Sequence, residues 1–167
     1  WSRPVFHFIH ARGEERPSAR RFVEAELRRL AGELAVFAGM RLDEDRLRDA
    51  IRLHRHIDRL RATLLDERPR LPLADAELYR LLRRGEFLWP ADHLAELQAA
   101  ASTIAPAPVQ RGLPVLVSGI VPEPMSVLDA LADAGAFGAA DDYAAIGRRV
   151  NRHHPTSLDD PFAALGE

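Results

Sequence analysis

Cysteine is absent from the 167 residues, and all 23 basic residues are arginine. Without a thiol the chain supplies no disulfide, no thiolate nucleophile, no zinc ribbon and no cysteine ligand to an iron–sulfur cluster. Asparagine occurs once, at Asn151; lysine-free, asparagine-poor usage reads as the bias of a GC-rich genome and carries no functional weight. Long apolar runs are missing as well. The run Gly112 to Val121 is far short of the ~18 apolar residues of a spanning helix, so no membrane segment is expected. Trp1 to His10 is apolar but short, with no basic n-region and no cleavage site, so no signal peptide is expected and a cytoplasmic location follows. The first residue is Trp1 instead of methionine, which reads as an N-terminus other than the native one.

What is present is an ordinary globular composition. With 47% hydrophobic and 29% charged residues the chain is neither disordered nor collagen-like. A chain of this size buries roughly 70% of the surface its unfolded form exposes, and needs no staple to fold. The formal charge of −2 conceals an asymmetry: residues 1–84 hold 19 Arg against 14 acids (+5), whereas residues 85–167 hold 4 Arg against 11 acids (−7). The arginines of the basic half alternate with acids along helical patterns, which reads as solvated faces and not as a nucleic-acid surface.

Pro4 to His10 is a short β-prone run and predicts a buried strand. After a polar loop, Pro17 or Ser18 opens a helix whose stripe is Phe22, Leu27, Leu30, Leu34 and Phe37, stopped by Gly39. Asp43 is a good N-cap for a second long helix to about Asp66, with Leu47, Ala50, Ile51, His54, Ile57, Leu60 and Leu64 on its apolar stripe. Two helices so closely joined predict an antiparallel hairpin. Shorter helices follow at Asp75 to Arg83 and from Pro90 through Ala101, and the Pro-rich stretch Ile104 to Gly112 reads as a linker and domain boundary. Then the period changes. Leu113 to Val117, a helix from Met125 to Ala134 stopped by Gly135, and Ala136 to Ala140 make a βαβ unit, hence a parallel sheet buried on both sides. The fold class is therefore α/β: a helical segment of a long antiparallel hairpin plus shorter helices, followed by a βαβ unit of a Rossmann-like sheet. The remainder to Glu167 reads as irregular with a short final turn.

In a parallel sheet, ligands bind outside the carboxyl ends of the strands. Two such ends occur, Ser118-Gly119 and Asp141-Asp142. Ser118 offers a hydroxyl and Gly119 close backbone approach, next to a helix N-terminus that favours an anion; the same residues also suit a plain βα turn. Asp141 and Asp142 suit either the cap of the next helix or a carboxylate in a cleft. Gly147-Arg148-Arg149 follows, where the guanidinium groups suit a phosphate or carboxylate clamp, or surface solvation and ion pairing with the aspartates. The histidines do not suit a metal: His54 and His56, His7 and His10, and His153 and His154 all lack the i, i+4 spacing of a zinc helix.

Leu113 to Arg149 resembles the 2-hydroxyacyl-CoA dehydratase and benzoyl-CoA reductase subunit family, which includes the 2-hydroxyglutaryl-CoA dehydratase D-component. There a strand ending in Ser-Gly, a helix and a second strand lead into Asp-Asp-x-Cys-x-x-Gly-Arg. Arg41 to Ile51, Pro72 to Pro90 and Asp160 to Gly166 are similar to further stretches of that family. The resemblance implies a division into residues 1–16 (last strand and loop of a preceding α/β domain), 17–105 (helical segment), 106–112 (linker) and 113–167 (opening of a second α/β domain). It implies a subunit that acts on acyl-CoA thioesters by radical chemistry, as a dehydratase (lyase) or ring reductase (oxidoreductase). The implied cofactor is a four-iron four-sulfur cluster held by three cysteines; the implied partners are a second, heterologous dehydratase-like subunit, an ATP-dependent activator and the acyl-CoA ligand. By match to the motif, Ser118, Gly119, Asp141, Asp142, Gly147 and Arg148 would line the site. The motif's cysteine position is Ala144 here, which has no lone pair for iron. The alternative implied by that change is a non-catalytic pseudo-subunit kept for heterodimer assembly or acyl-CoA binding.

Overall fold

The computed structural model describes residues 4–11, 16–109, 112–152, 154 and 157–166, and for Arg148 the backbone alone. The fold is mixed α/β with helices dominating: six α-helices and one two-stranded parallel sheet among the described residues. The chain forms two compact units, Trp1–Arg52 with His153–Glu167, and Leu53–Arg152.

In the first unit α1 (Pro17–Ala38) begins with proline at its first turn and ends at Gly39, whose φ of 64° is open to glycine without a Cβ penalty. Gly39 and Met40 donate their amides to the carbonyls of Val36 and Ala35, closing a Schellman turn. α1 packs against the short α6 (Pro161–Gly166). Asp160 caps α6 through the amides of Phe162 and Ala163, pairs with Arg28, and Arg28 lies 4.6 Å over the buried Phe162 ring. α1 buries no residue fully, and Phe22, Leu34 and Phe37 of its stripe are exposed. The expected buried strand at 4–10 is not formed: among the described residues no strand pairs with it, and Val5 and Ile9 are exposed. An apolar run becomes a strand only where a ladder partner exists. Here Phe6 meets Phe37 edge-on at 5.4 Å, and Arg29 donates to the carbonyl of His7. α2 (Glu44–Asp66) starts as expected, with Asp43 Oδ1 accepting from the amides of Asp45 and Arg46. Ile51, Ile57 and Leu64 are its buried line; Ala50 and His54, on the flank of that line, are exposed.

In the second unit the C-terminal part of α2, α3 (Asp75–Arg83) and α4 (Pro90–Ala101) surround a core of Ile57, Leu64, Leu71, Leu78, Leu82 and Leu97. His93 of α4 is buried and bonds the carbonyl of Leu81 through Nε2 at 3.1 Å. Residues 104–109 lie against the turn at 68–70: Ala105 and Val109 donate to the carbonyls of Arg70 and Pro69, and Arg70 Nε returns a bond to Ala105. β1 (Leu113–Val117), α5 (Ser126–Asp133) and β2 (Ala136–Asp141) form the expected βαβ unit, with Val117 opposite Asp141 at the end of the parallel ladder. Burial on both sides of the sheet is not observed: Leu113 is 66% and Leu116 70% exposed. α5 packs on β2, and α3 reaches the same strand through Asp75 at Gly138 and Tyr79 at Asp141, while most of β1 stays exposed.

Candidate functional site

The two strand ends named from the sequence lie side by side. Beyond the ladder the chains stay in step: Asp142 donates to the carbonyl of Val117 at 3.2 Å, Ala144 to Gly119 at 3.1 Å and Ala145 to Ile120 at 3.0 Å. Ser118 and Gly119 are exposed at this rim, and Asp142 and Ala144 are half-buried. A Cβ at Gly119 would stand 2.8 Å from Cε1 of Tyr143, so the ring crosses the glycine only because no side chain is there. Tyr143 is buried and meets Tyr79 edge-to-face, with centroids 5.8 Å apart. Burial, then the Asp141 charge, holds its phenol proton on above the usual range.

Asp141 is the node of the site. Its Oδ2 accepts from Arg68 Nη2 at 2.5 Å and from Tyr79 O–H at 2.9 Å; its Oδ1 accepts from the amides of Tyr143 and Gly147, both at 3.2 Å. A carboxylate has about four lone-pair positions, so all are occupied. The Arg68 and Asp141 side chains are 2% and 1% exposed. Arg68 also donates through Nη1 to the carbonyl of Gly138 at 3.0 Å and to the Tyr79 oxygen at 3.2 Å, while Asp75 Oδ2 accepts from the Gly138 amide at 2.6 Å. Burial raises the Tyr79 phenol well above its ordinary value despite the neighbouring Arg68 charge, so Tyr79 stays a neutral donor. Burial opposes the Arg68 charge, but Tyr79 and Asp141 outweigh it and strengthen the protonated form.

Of the two sequence readings of Asp141, the structure does not show the helix cap, and its carboxylate borders a cleft. It caps no α-helix; its carboxylate ties the 141–147 turn through the Tyr143 and Gly147 amides. Gly147 completes that tie, because a Cβ there would lie 2.6 Å from Asp141 Oδ1 and 2.9 Å from its carbonyl oxygen. Beside the node is a cleft of about 380 Å³ lined by Asp66, Arg68, Asp141, Gly147 and Arg152, with Arg152 forked onto Asp66 at 2.8 Å for both bonds. Asp141 and Gly147 thus reach this cleft, whereas Ser118 and Gly119 stand at the neighbouring rim and do not line it. The Arg148 side chain and His153 lie outside the described residues. Arg149 pairs with Glu86 at 3.3 Å on the surface and not with the aspartates.

Sequence reasoning missed Arg68 and Tyr79. Arg68 sits in a Pro-flanked 3-10 turn that reads as punctuation, and its partners are 11 and 73 residues away. The only local signal was an arginine placed where a helix ends before two prolines, with one of just two tyrosines on the next helix.

The donor set of this chain does not fit an iron–sulfur cluster. No cysteine is present, and the Asp141 carboxylate is fully occupied. Among the described residues no group of three His, Cys, Asp or Glu side chains is arranged to hold a metal, and no helix is long and apolar enough to cross a membrane.

The family model of the 2-hydroxyglutaryl-CoA dehydratase D-component matches residues 1–167. Subunit beta of the (R)-2-hydroxyglutaryl-CoA dehydratase of Acidaminococcus fermentans is 27% identical over 167 residues, 97% of this chain and 44% of that protein. The chain therefore spans less than half the length of that relative. With the family model matching from end to end, the chain belongs to the 2-hydroxyglutaryl-CoA dehydratase D-component family.

Proposed function

We propose that this chain is part of a 2-hydroxyacyl-CoA dehydratase-like subunit, and that its strand-end turn holds an acyl-CoA thioester. The observation that carries the reading is the pairing of Ser118-Gly119 with the 141–147 turn at the carboxyl ends of two parallel strands, where ligands of open α/β sheets bind. Backbone amides at Ser118 and Gly119 are suited to a thioester oxygen or another anionic group, and Arg148 to orienting it. Asp142 and Gly147 complete the wall. Asp141 shapes it from behind, its lone pairs being committed to Arg68, Tyr79, Tyr143 and Gly147.

In this reading the radical chemistry on the acyl-CoA, whether dehydration or the ring reduction of a benzoyl-CoA reductase, belongs to the assembled cytoplasmic enzyme. The assembly comprises a second dehydratase-like subunit and an ATP-dependent activator, and any cluster in it is held by cysteines this chain does not carry. The proposed layout keeps residues 1–16 as the closing segment of a preceding α/β domain, without the strand expected there, 17–105 as the helical segment, 106–112 as the linker and 113–167 as the opening of a second α/β domain. Ala144 favours a second reading, a pseudo-subunit that binds acyl-CoA or its partner subunit without catalysis. Iron and sulfide analysis of the whole subunit, purified anaerobically, separates the two. Stoichiometric iron and sulfide alongside binding of 2-hydroxyglutaryl-CoA supports the catalytic reading, and thioester binding without them supports the pseudo-subunit. Absence of thioester binding overturns both.

A further inference from the structure

The two carboxylate oxygens of Asp141 face different parts of the second unit. Oδ2 is held by Arg68, from the turn after α2, and by Tyr79 of α3; Oδ1 holds the amides of Tyr143 and Gly147. Arg68 is fixed in turn by the Gly138 carbonyl on β2, and Gly138 by Asp75 at the start of α3. The bonds form a closed ring: Arg68 donates to the Tyr79 oxygen, Tyr79 donates to Asp141, and Arg68 donates to Asp141. The helical segment therefore grips the carboxylate from one side, and the carboxylate grips the turn from the other. No lone pair of Asp141 remains for a ligand or a cation.

We infer that Arg68 and Tyr79 are positioning residues that set the 141–147 turn through Asp141, and that Asp141 itself touches no ligand. The ligand-facing part of this inference rests on the acyl-CoA reading above; the positioning part does not. Rotation of the Asp141 carboxyl would release the Tyr143 and Gly147 amides together. The Tyr143 ring over Gly119 and the spacing between the two strand ends would then change with them.

Amide hydrogen exchange of the whole protein tests this, with Tyr79→Phe as the first variant because it removes a single hydroxyl and keeps the ring packed on Tyr143 and Arg68. Exchange protection at the Tyr143 and Gly147 amides should fall about tenfold, the size of one lost hydrogen bond to a charged group, with the β1–β2 ladder amides unchanged. Arg68→Lys should give the same selective loss, and a larger one, since an ammonium cannot reach the Gly138 carbonyl, Tyr79 and Asp141 together. The affinity of both variants for 2-hydroxyglutaryl-CoA should fall in parallel. Unchanged protection at the two amides in Tyr79→Phe, or a uniform loss across the ladder, overturns the inference. A selective loss with affinity equal to that of the unaltered protein overturns the ligand-facing part and leaves the positioning of the turn. If the unaltered protein does not bind 2-hydroxyglutaryl-CoA while the selective loss is seen, the acyl-CoA reading falls and the positioning stands.

Discussion

Gly147 lies against Asp141 so closely that an added methyl would stand 2.6 Å from Oδ1 and 2.9 Å from the backbone oxygen. Oδ1 is not free to withdraw, since it accepts from two amides while Oδ2 of the same carboxylate is held by Arg68 and Tyr79. Gly147→Ala should cost at the upper end of the ~1–3 kcal/mol of overpacking, and Gly119→Ala less, because its clash is with the rim of a single ring. Denaturant unfolding of the two variants gives the order; Gly119→Ala proving the more damaging would contradict it.

Two arginine–carboxylate pairs line the same cleft and differ in burial. Arg68–Asp141 is 2% and 1% exposed, Arg152–Asp66 49% and 59%. Arg68→Ala leaves a buried carboxylate without its cation and should cost about 3–5 kcal/mol. Arg152→Ala removes a solvated pair and should cost less than about 1 kcal/mol. Unfolding free energies within 1 kcal/mol of each other would show that burial does not set the difference.

His93 gives the second unit an acid sensitivity. Burial lowers its pKa in the fold, so the unfolded chain takes up a proton first as the pH drops. The contribution of a neutral His93 is fully present above the unfolded value of ~6.5 and is lost as the pH falls from there through the depressed folded value. Thermal melts at pH 8 and pH 5 should show a larger drop for the unaltered protein than for His93→Gln, which keeps a donor for the Leu81 carbonyl. Equal drops would remove His93 as the cause.

The helices were legible because their ends are written locally: Pro17 and Gly39 bound α1, Asp43 caps α2 and Pro90 starts α4. The βαβ unit was legible from the run Leu113–Val117 and the stop at Gly135, and its topology alone brought Ser118-Gly119 next to Asp141-Asp142. What holds Asp141 was not legible. Arg68 and Tyr79 meet it across 73 and 62 residues, and no periodicity reports a pair so distant. The apolar run at 4–10 misled for the converse reason, since strand propensity describes a segment and pairing depends on a partner elsewhere.

The central claim, that the strand-end turn of this chain holds an acyl-CoA thioester, is tested most directly by calorimetric titration of 2-hydroxyglutaryl-CoA. The titration compares the unaltered protein with Arg148→Ala and with Arg149→Ala, whose side chain is paired with Glu86 at the surface. Loss of one charge-assisted bond in Arg148→Ala should weaken binding at least about tenfold, with Arg149→Ala unchanged. Equal affinity for Arg148→Ala and the unaltered protein would contradict the assignment of the thioester to this turn.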